Sequence, residues 1–185
     1  METQGLTIAY GMGPNKLHDD LNAQGFPVTR DEAKSTYYKY TDKFKVAVNY
    51  LRDAGKLASS QGWLANLNGR RRWWKLPSSK EMDKETYKGK LAAIEREGGN
   101  FMIQSVNADI TKDAMVEIRR YRKKHNIKTK FINAVYDEIV TRTHKDQSES
   151  FHAEKLRIMR QSGEKWITSV PMLVDGAVGP CWQKD

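Results

Sequence analysis

Apolar positions along the chain recur mostly at helical spacing, and in three places the pattern shortens to that of strands. Pro14, just after the turn Gly11-Met12-Gly13, suits the first turn of a short helix ending near Leu21. Gly25-Phe26-Pro27 is a break, and Thr29-Arg30-Asp31-Glu32 then has the form of a capping box. The helix it opens is predicted to run to about Ala54 and to stop at Gly55, with Tyr37, Tyr40, Phe44, Val48 and Leu51 on one apolar face. Asn68-Gly69 favours a tight hairpin turn, so two short strands are predicted around it, followed by a polar loop from Pro77 to Lys84. A further helix is predicted from Lys84 to about Tyr121, interrupted at Gly98-Gly99, with Ile110, Ala114, Ile118 and Tyr121 facing inward. Phe131–Val135 and Ile139–Thr143 read as strands, Ser148 to about Gln161 as a helix, and Val170–Val178 as strand-like.

Composition narrows the class. A length of 185 residues suits one domain, or one domain with a small appendage. With 38% hydrophobic and 30% charged residues, the chain is too apolar for disorder. Its 32 Lys and Arg against 23 Asp and Glu leave a formal charge of +9, which points first to a polyanionic partner. No apolar run approaches the ~20 residues of a membrane span, and Met1–Tyr10 lacks the order of a secretory signal. The single cysteine, Cys181, excludes an internal disulfide framework and a cysteine-based zinc cluster, so a cytoplasmic protein, or one made in a reducing compartment, is expected.

Three features carry chemistry. Asp137-Glu138 lies between two strand-like segments, and a tight hairpin tip can present carboxylate oxygens to magnesium. The same residues also describe a solvated acidic turn. Arg96, Asn100 and Gln104, spaced by four, fall on one helix face and could grip phosphate or base edges, or simply face solvent. Arg70-Arg71-Arg72 beside Trp73-Trp74 suits phosphate contact and stacking, or a basic turn packed by tryptophans. The aromatics Tyr37, Tyr40 and Phe44 read as core, and the basic run Arg119–Lys124 as a solvated helix end.

Taken in order, these pieces resemble the C-terminal part of a family A DNA polymerase. Tyr10-Gly11-Met12-Gly13 resembles the end of motif B, and Gly69-Arg70-Arg71-Arg72…Leu76-Pro77 the family's Gly-Arg-Arg…Leu-Pro hairpin. The pattern Arg96-x-x-x-Asn100-x-x-x-Gln104-x-x-x-x-Asp109 resembles its Arg-Asn-Gln-Asp helix. Ala134-Val135-Tyr136-Asp137-Glu138 resembles motif C, and Val170-Pro171-Met172-Leu173-Val174…Val178-Gly179…Trp182 the terminal tail. The resemblance implies an α+β fold: a palm subdomain with a small antiparallel sheet backed by helices, plus the end of the fingers. Residues 1–27 would be the end of the fingers and 28–185 the palm.

The same resemblance implies template-directed nucleotidyl transfer with two Mg2+ ions. Asp137 would hold metal and Glu138 would support the site. Arg96, Asn100, Gln104, Tyr136, Arg70 and Arg71 would contact primer-template DNA, and Tyr10 and Gly11 would lie by the nascent base pair and the dNTP. The family also needs an aspartate of motif A, upstream of motif B, which these residues do not contain. Glu2 and Leu6 stand where a lysine and an aromatic are usual, and Tyr136 stands where the family has histidine. The expectation is therefore the C-terminal polypeptide of a split, phage-type polymerase, inactive until an N-terminal polypeptide joins it. The alternative is a non-catalytic DNA-binding remnant of a palm, or a fragment.

Overall fold

The computed structural model describes residues 7, 8 and 11–182. The chain divides into two compact units, residues 1–104 and 105–185. Among the described residues no helix is long and apolar enough to cross a membrane.

The first unit opens with α1 (Pro14–Ala23), which has proline in its first turn. Helix α2 (Arg30–Lys43) starts at the expected capping box. Thr29 Oγ1 accepts from the Glu32 amide, and the Glu32 carboxylate accepts from the Thr29 amide at 2.8 Å. The helix does not continue to Ala54. It ends at Phe44, whose φ of −108° and ψ of 31° leave the helical region, and α3 (Lys45–Gln61) begins there. The break separates Tyr37 and Tyr40 from Val48 and Leu51, so the five residues do not share one buried face. Val48 and Leu51 are buried, whereas Phe44 is exposed and packs on Tyr40.

Gly55 does not stop α3. It is buried within the helix, and the true stop is Gly62, which takes the left-handed φ of 77°. The strands β1 (Trp63–Ala65) and β2 (Arg71–Trp73) then pair antiparallel. Their turn is built by Asn66, whose Oδ1 accepts from the Asn68 and Arg70 amides at 3.0 Å each, and by Gly69 at φ 76°.

The long helix α4 (Lys84–Lys124) begins in the first unit and ends in the second, and it is not interrupted at Gly98-Gly99. Those glycines let α3 approach closely. A Cβ on Gly98 would lie 2.6 Å from Ala58 Cβ, and one on Gly99 would lie 3.0 Å from the Leu51 carbonyl oxygen. Ala58, Leu64, Ile94 and Phe101 form the core around this crossing.

In the second unit, β3 (Thr129–Val135) and β4 (Glu138–Thr143) form an antiparallel hairpin with an irregularity between Phe131 and Asn133. Helix α5 (Lys145–Glu164) backs it. The core joins Ala114 and Ile118 of α4, Ile139 of β4, and Phe151 and Ile158 of α5. Residues Val170–Val178 form no strand. That segment packs through side chains on α5, with Met172 against Gly163 and Gly176 against His152, so it has no ladder to join. The result is α+β, helices with two small antiparallel sheets.

Candidate nucleic-acid and metal-binding site

The candidate residues fall into two groups, one in each unit. In the first unit, Arg96, Asn100 and Gln104 follow one another at one-turn intervals along α4. Gly98, about half a turn away around the helix, is the contact with α3, and this orients the row. Arg96 and Gln104 are exposed; Asn100 is half-buried, and its Oδ1 is buried with no hydrogen-bond partner among the described residues. Gly11, at φ 94°, sits against the Arg96 side chain, where a Cβ would be 3.3 Å from Arg96 Cγ. Tyr10 lies outside the described residues.

The arginine hairpin is fastened to the same stretch of helix. Glu97 ion-pairs with Arg72 and accepts from Trp74 Nε1 at 3.0 Å. Arg72 also covers the Trp74 ring, 5.0 Å from its centroid, and Trp74 meets Phe101 edge-on at 6.0 Å. Arg72 is thus a fastener. Arg70 and Arg71 are exposed on the strand and turn beside it, and Arg71 lies 5.1 Å over the Trp63 ring. Sequence reasoning missed Glu97: its partners are 23 and 25 residues away, and no local pattern signals the pairing.

In the second unit, Val135 pairs with Glu138, so Tyr136 and Asp137 form a two-residue hairpin tip. Tyr136 takes φ 54°, the positive value that tight hairpin turns demand, and is 90% exposed. Asp137 is exposed at the tip, with no hydrogen-bond or ion-pair partner among the described residues. Glu138 is engaged: its Oε1 accepts from Trp182 Nε1 at 2.6 Å. Behind it, Lys155 donates to the Ile139 carbonyl at 3.3 Å. Burial pulls the Lys155 ammonium below the ordinary lysine pKa, and the Glu138 carboxylate partly opposes this. Neither Trp182 nor Lys155 was legible as a Glu138 neighbour, because they stand 44 and 17 positions further along the sequence.

The donor set at the tip is hard oxygen, which fits Mg2+. It is also small: among the described residues no three His, Cys, Asp or Glu side chains cluster as a metal site. Asp137, and Glu138 alongside it, can supply one side of a coordination sphere.

Comparison with known proteins places these features. The chain is 27% identical over 175 residues to DNA polymerase I of Bacillus subtilis, covering 95% of this chain and 18% of that protein. It is 25% identical over 177 residues to the DNA polymerase of Bacillus phage SP01, covering 93% of this chain and 18% of the other. Among solved structures it resembles the POL domain of Pol1 from M. smegmatis in complex with DNA primer-template and dNTP. The TM-score is 0.70 at 25% identity, over 87% of this chain and 26% of that one. The chain therefore spans less than a fifth of the length of these curated relatives. The family profile for DNA polymerase family A matches residues 5–184, almost end to end, and the chain belongs to that family.

Proposed function

We propose that this chain supplies the motif C side of the active site, and part of the primer-template surface, of a DNA-directed DNA polymerase. The observation that carries the reading is Asp137. It is an unengaged carboxylate held at a two-residue hairpin tip, in a chain that belongs to a polymerase family. Unlike Glu138, it makes no bond among the described residues that a metal would have to displace.

Asp137 would hold Mg2+, with Glu138 beside it as support. Bound there, the metal pair supplies activation of the primer 3′-oxygen and charge stabilisation at the leaving pyrophosphate. The protein's own groups do the positioning. Arg96, Asn100 and Gln104 line the primer-template, where the unpaired Asn100 Oδ1 is ready to accept from a base-edge or sugar donor. Arg70, Arg71 and Tyr136 contact phosphates, and Tyr10 and Gly11 lie by the nascent pair and the dNTP. The M. smegmatis relative was solved with primer-template and dNTP, which supports those ligand classes here.

The second metal-binding carboxylate and the triphosphate-binding groups come from polypeptide outside these 185 residues, in this reading an N-terminal partner of a split, phage-type enzyme working in the cytoplasm. Palm for residues 28–185 and end of fingers for 1–27 is the matching division of labour.

Primer extension tests the reading. The chain is assayed alone and mixed with the N-terminal polypeptide, in Mg2+, with Asp137→Ala as control. Extension is expected only in the mixture, and Asp137→Ala lowers it by at least about 100-fold, since the metal contributes several kcal/mol to the transition state. Extension that survives Asp137→Ala sinks the proposal. DNA binding without extension in any mixture would instead favour a non-catalytic remnant.

A further inference from the structure

We propose that the outer face of the β1–β2 hairpin is a stacking platform for the unpaired bases of single-stranded nucleic acid, built by Trp63 and Trp73 with Arg71 as its phosphate contact. In a strand, side chains alternate between faces, and the register sorts this hairpin into two. Leu64 pairs with Arg72 on the inner face, where Leu64 is buried in the core and Arg72 is clamped to Glu97. Trp63 pairs with Trp73 on the other face, and Ala65 with Arg71.

On that outer face the two indoles lie with centroids 5.7 Å apart and planes 35° from parallel. Trp73 remains 66% exposed. A cross-strand pair needs only apolar contact to support a hairpin; leaving a large ring open to water adds nothing to that. Arg71 stands over Trp63 and has no carboxylate partner among the described residues, in contrast to Arg72. Opposite Arg71 stands the small side chain of Ala65.

An uncompensated guanidinium beside the exposed Trp73 indole, backed by half-buried Trp63, complements a ligand that is anionic and flat. Single-stranded nucleic acid offers both, one phosphate and one base face per residue. Duplex DNA offers the phosphates but keeps its base faces stacked away. The +9 charge of the chain favours the same class of partner. The platform deepens the polymerase reading by adding a seat for an unpaired strand, yet it rests on the hairpin and not on Asp137.

Fluorescence anisotropy measures the affinity of the chain for a labelled oligo(dT) of roughly 12 nucleotides. Controls are an abasic strand of equal length and a blunt duplex. Trp73→Thr removes the ring while keeping strand propensity, and Trp73→Tyr keeps a ring. The expected result is that Trp73→Thr weakens oligo(dT) binding by roughly 5- to 100-fold. Abasic and duplex affinities should stay within about twofold, and Trp73→Tyr should retain most of the binding. Urea midpoints for each variant, together with Trp63→Thr, report whether the hairpin still holds. Wild-type affinity of Trp73→Thr for oligo(dT) overturns the proposal. So does an equal loss on oligo(dT), abasic strand and duplex, which would assign binding to charge alone. The platform and the polymerase reading can therefore fail separately: one in this titration, the other in primer extension.

Discussion

Gly98 lies mid-helix, where alanine would ordinarily be better by about 1 kcal/mol. Here a Cβ would sit 2.6 Å from Ala58 Cβ and 3.3 Å from the Ala54 carbonyl oxygen. Its counterpart Gly55 is tighter still, with a Cβ placed 2.4 Å from the Glu95 carbonyl oxygen. Forcing the methyl in overpacks the crossing at roughly 1–3 kcal/mol, which the propensity gain of about 1 kcal/mol only partly offsets. Gly98→Ala should therefore lower the urea midpoint, and a raised midpoint would show that the two helices separate freely. The sequence reading took Gly55 for a helix stop and Gly98-Gly99 for an interruption. Glycine serves both as a breaker and as a site of close approach. The two uses differ only in what lies across the contact, and Ala58 is 40 positions from Gly98 and Leu51 48 from Gly99.

At the scale of elements, what is local was legible and what is paired at long range was not. The capping box at Thr29, the Asn68-Gly69 turn and the strands flanking Asp137 are each written within a few residues, and each forms as expected. The break at Phe44 was hidden because the apolar spacing continues across it. The start of α4 carries a second local device. Asp83 accepts from the Thr86 hydroxyl at 2.6 Å and from the Thr86 and Glu85 amides at 2.9 and 3.0 Å. Those bonds, the Thr86 hydroxyl foremost, hold the Asp83 carboxyl below the ordinary carboxylate range. A depressed folded-state pKa adds stability that is complete above the unfolded value of about 4 and is lost as pH falls through the folded value. The Thr86 amide shift, followed by NMR during acid titration, should therefore inflect below about pH 4. An inflection at or above that value would mean that the cap is not formed in solution.

For the whole molecule, the net charge of +9 and the order of the motifs were readable from sequence. The division of labour among neighbouring arginines was not, because it depends on where Glu97 lies. Salt dependence exposes that division. A basic protein that neutralises phosphates releases counterions, so log K falls linearly with log salt at a slope set by the number of phosphates contacted. Arg96 is exposed on the proposed primer-template face, whereas the Arg72 guanidinium is already taken by Glu97. Arg96→Ala should weaken primer-template binding evenly across sequences and make the slope shallower by about 1. Arg72→Met removes a cation that faces a carboxylate, so it should leave the slope unchanged and act through the loosened hairpin. Equal slopes for wild type and both variants would remove Arg96 from the phosphate contacts. A shallower slope for Arg72→Met would mean that Glu97 releases its arginine when DNA arrives, and that the hairpin clamp is part of the binding surface.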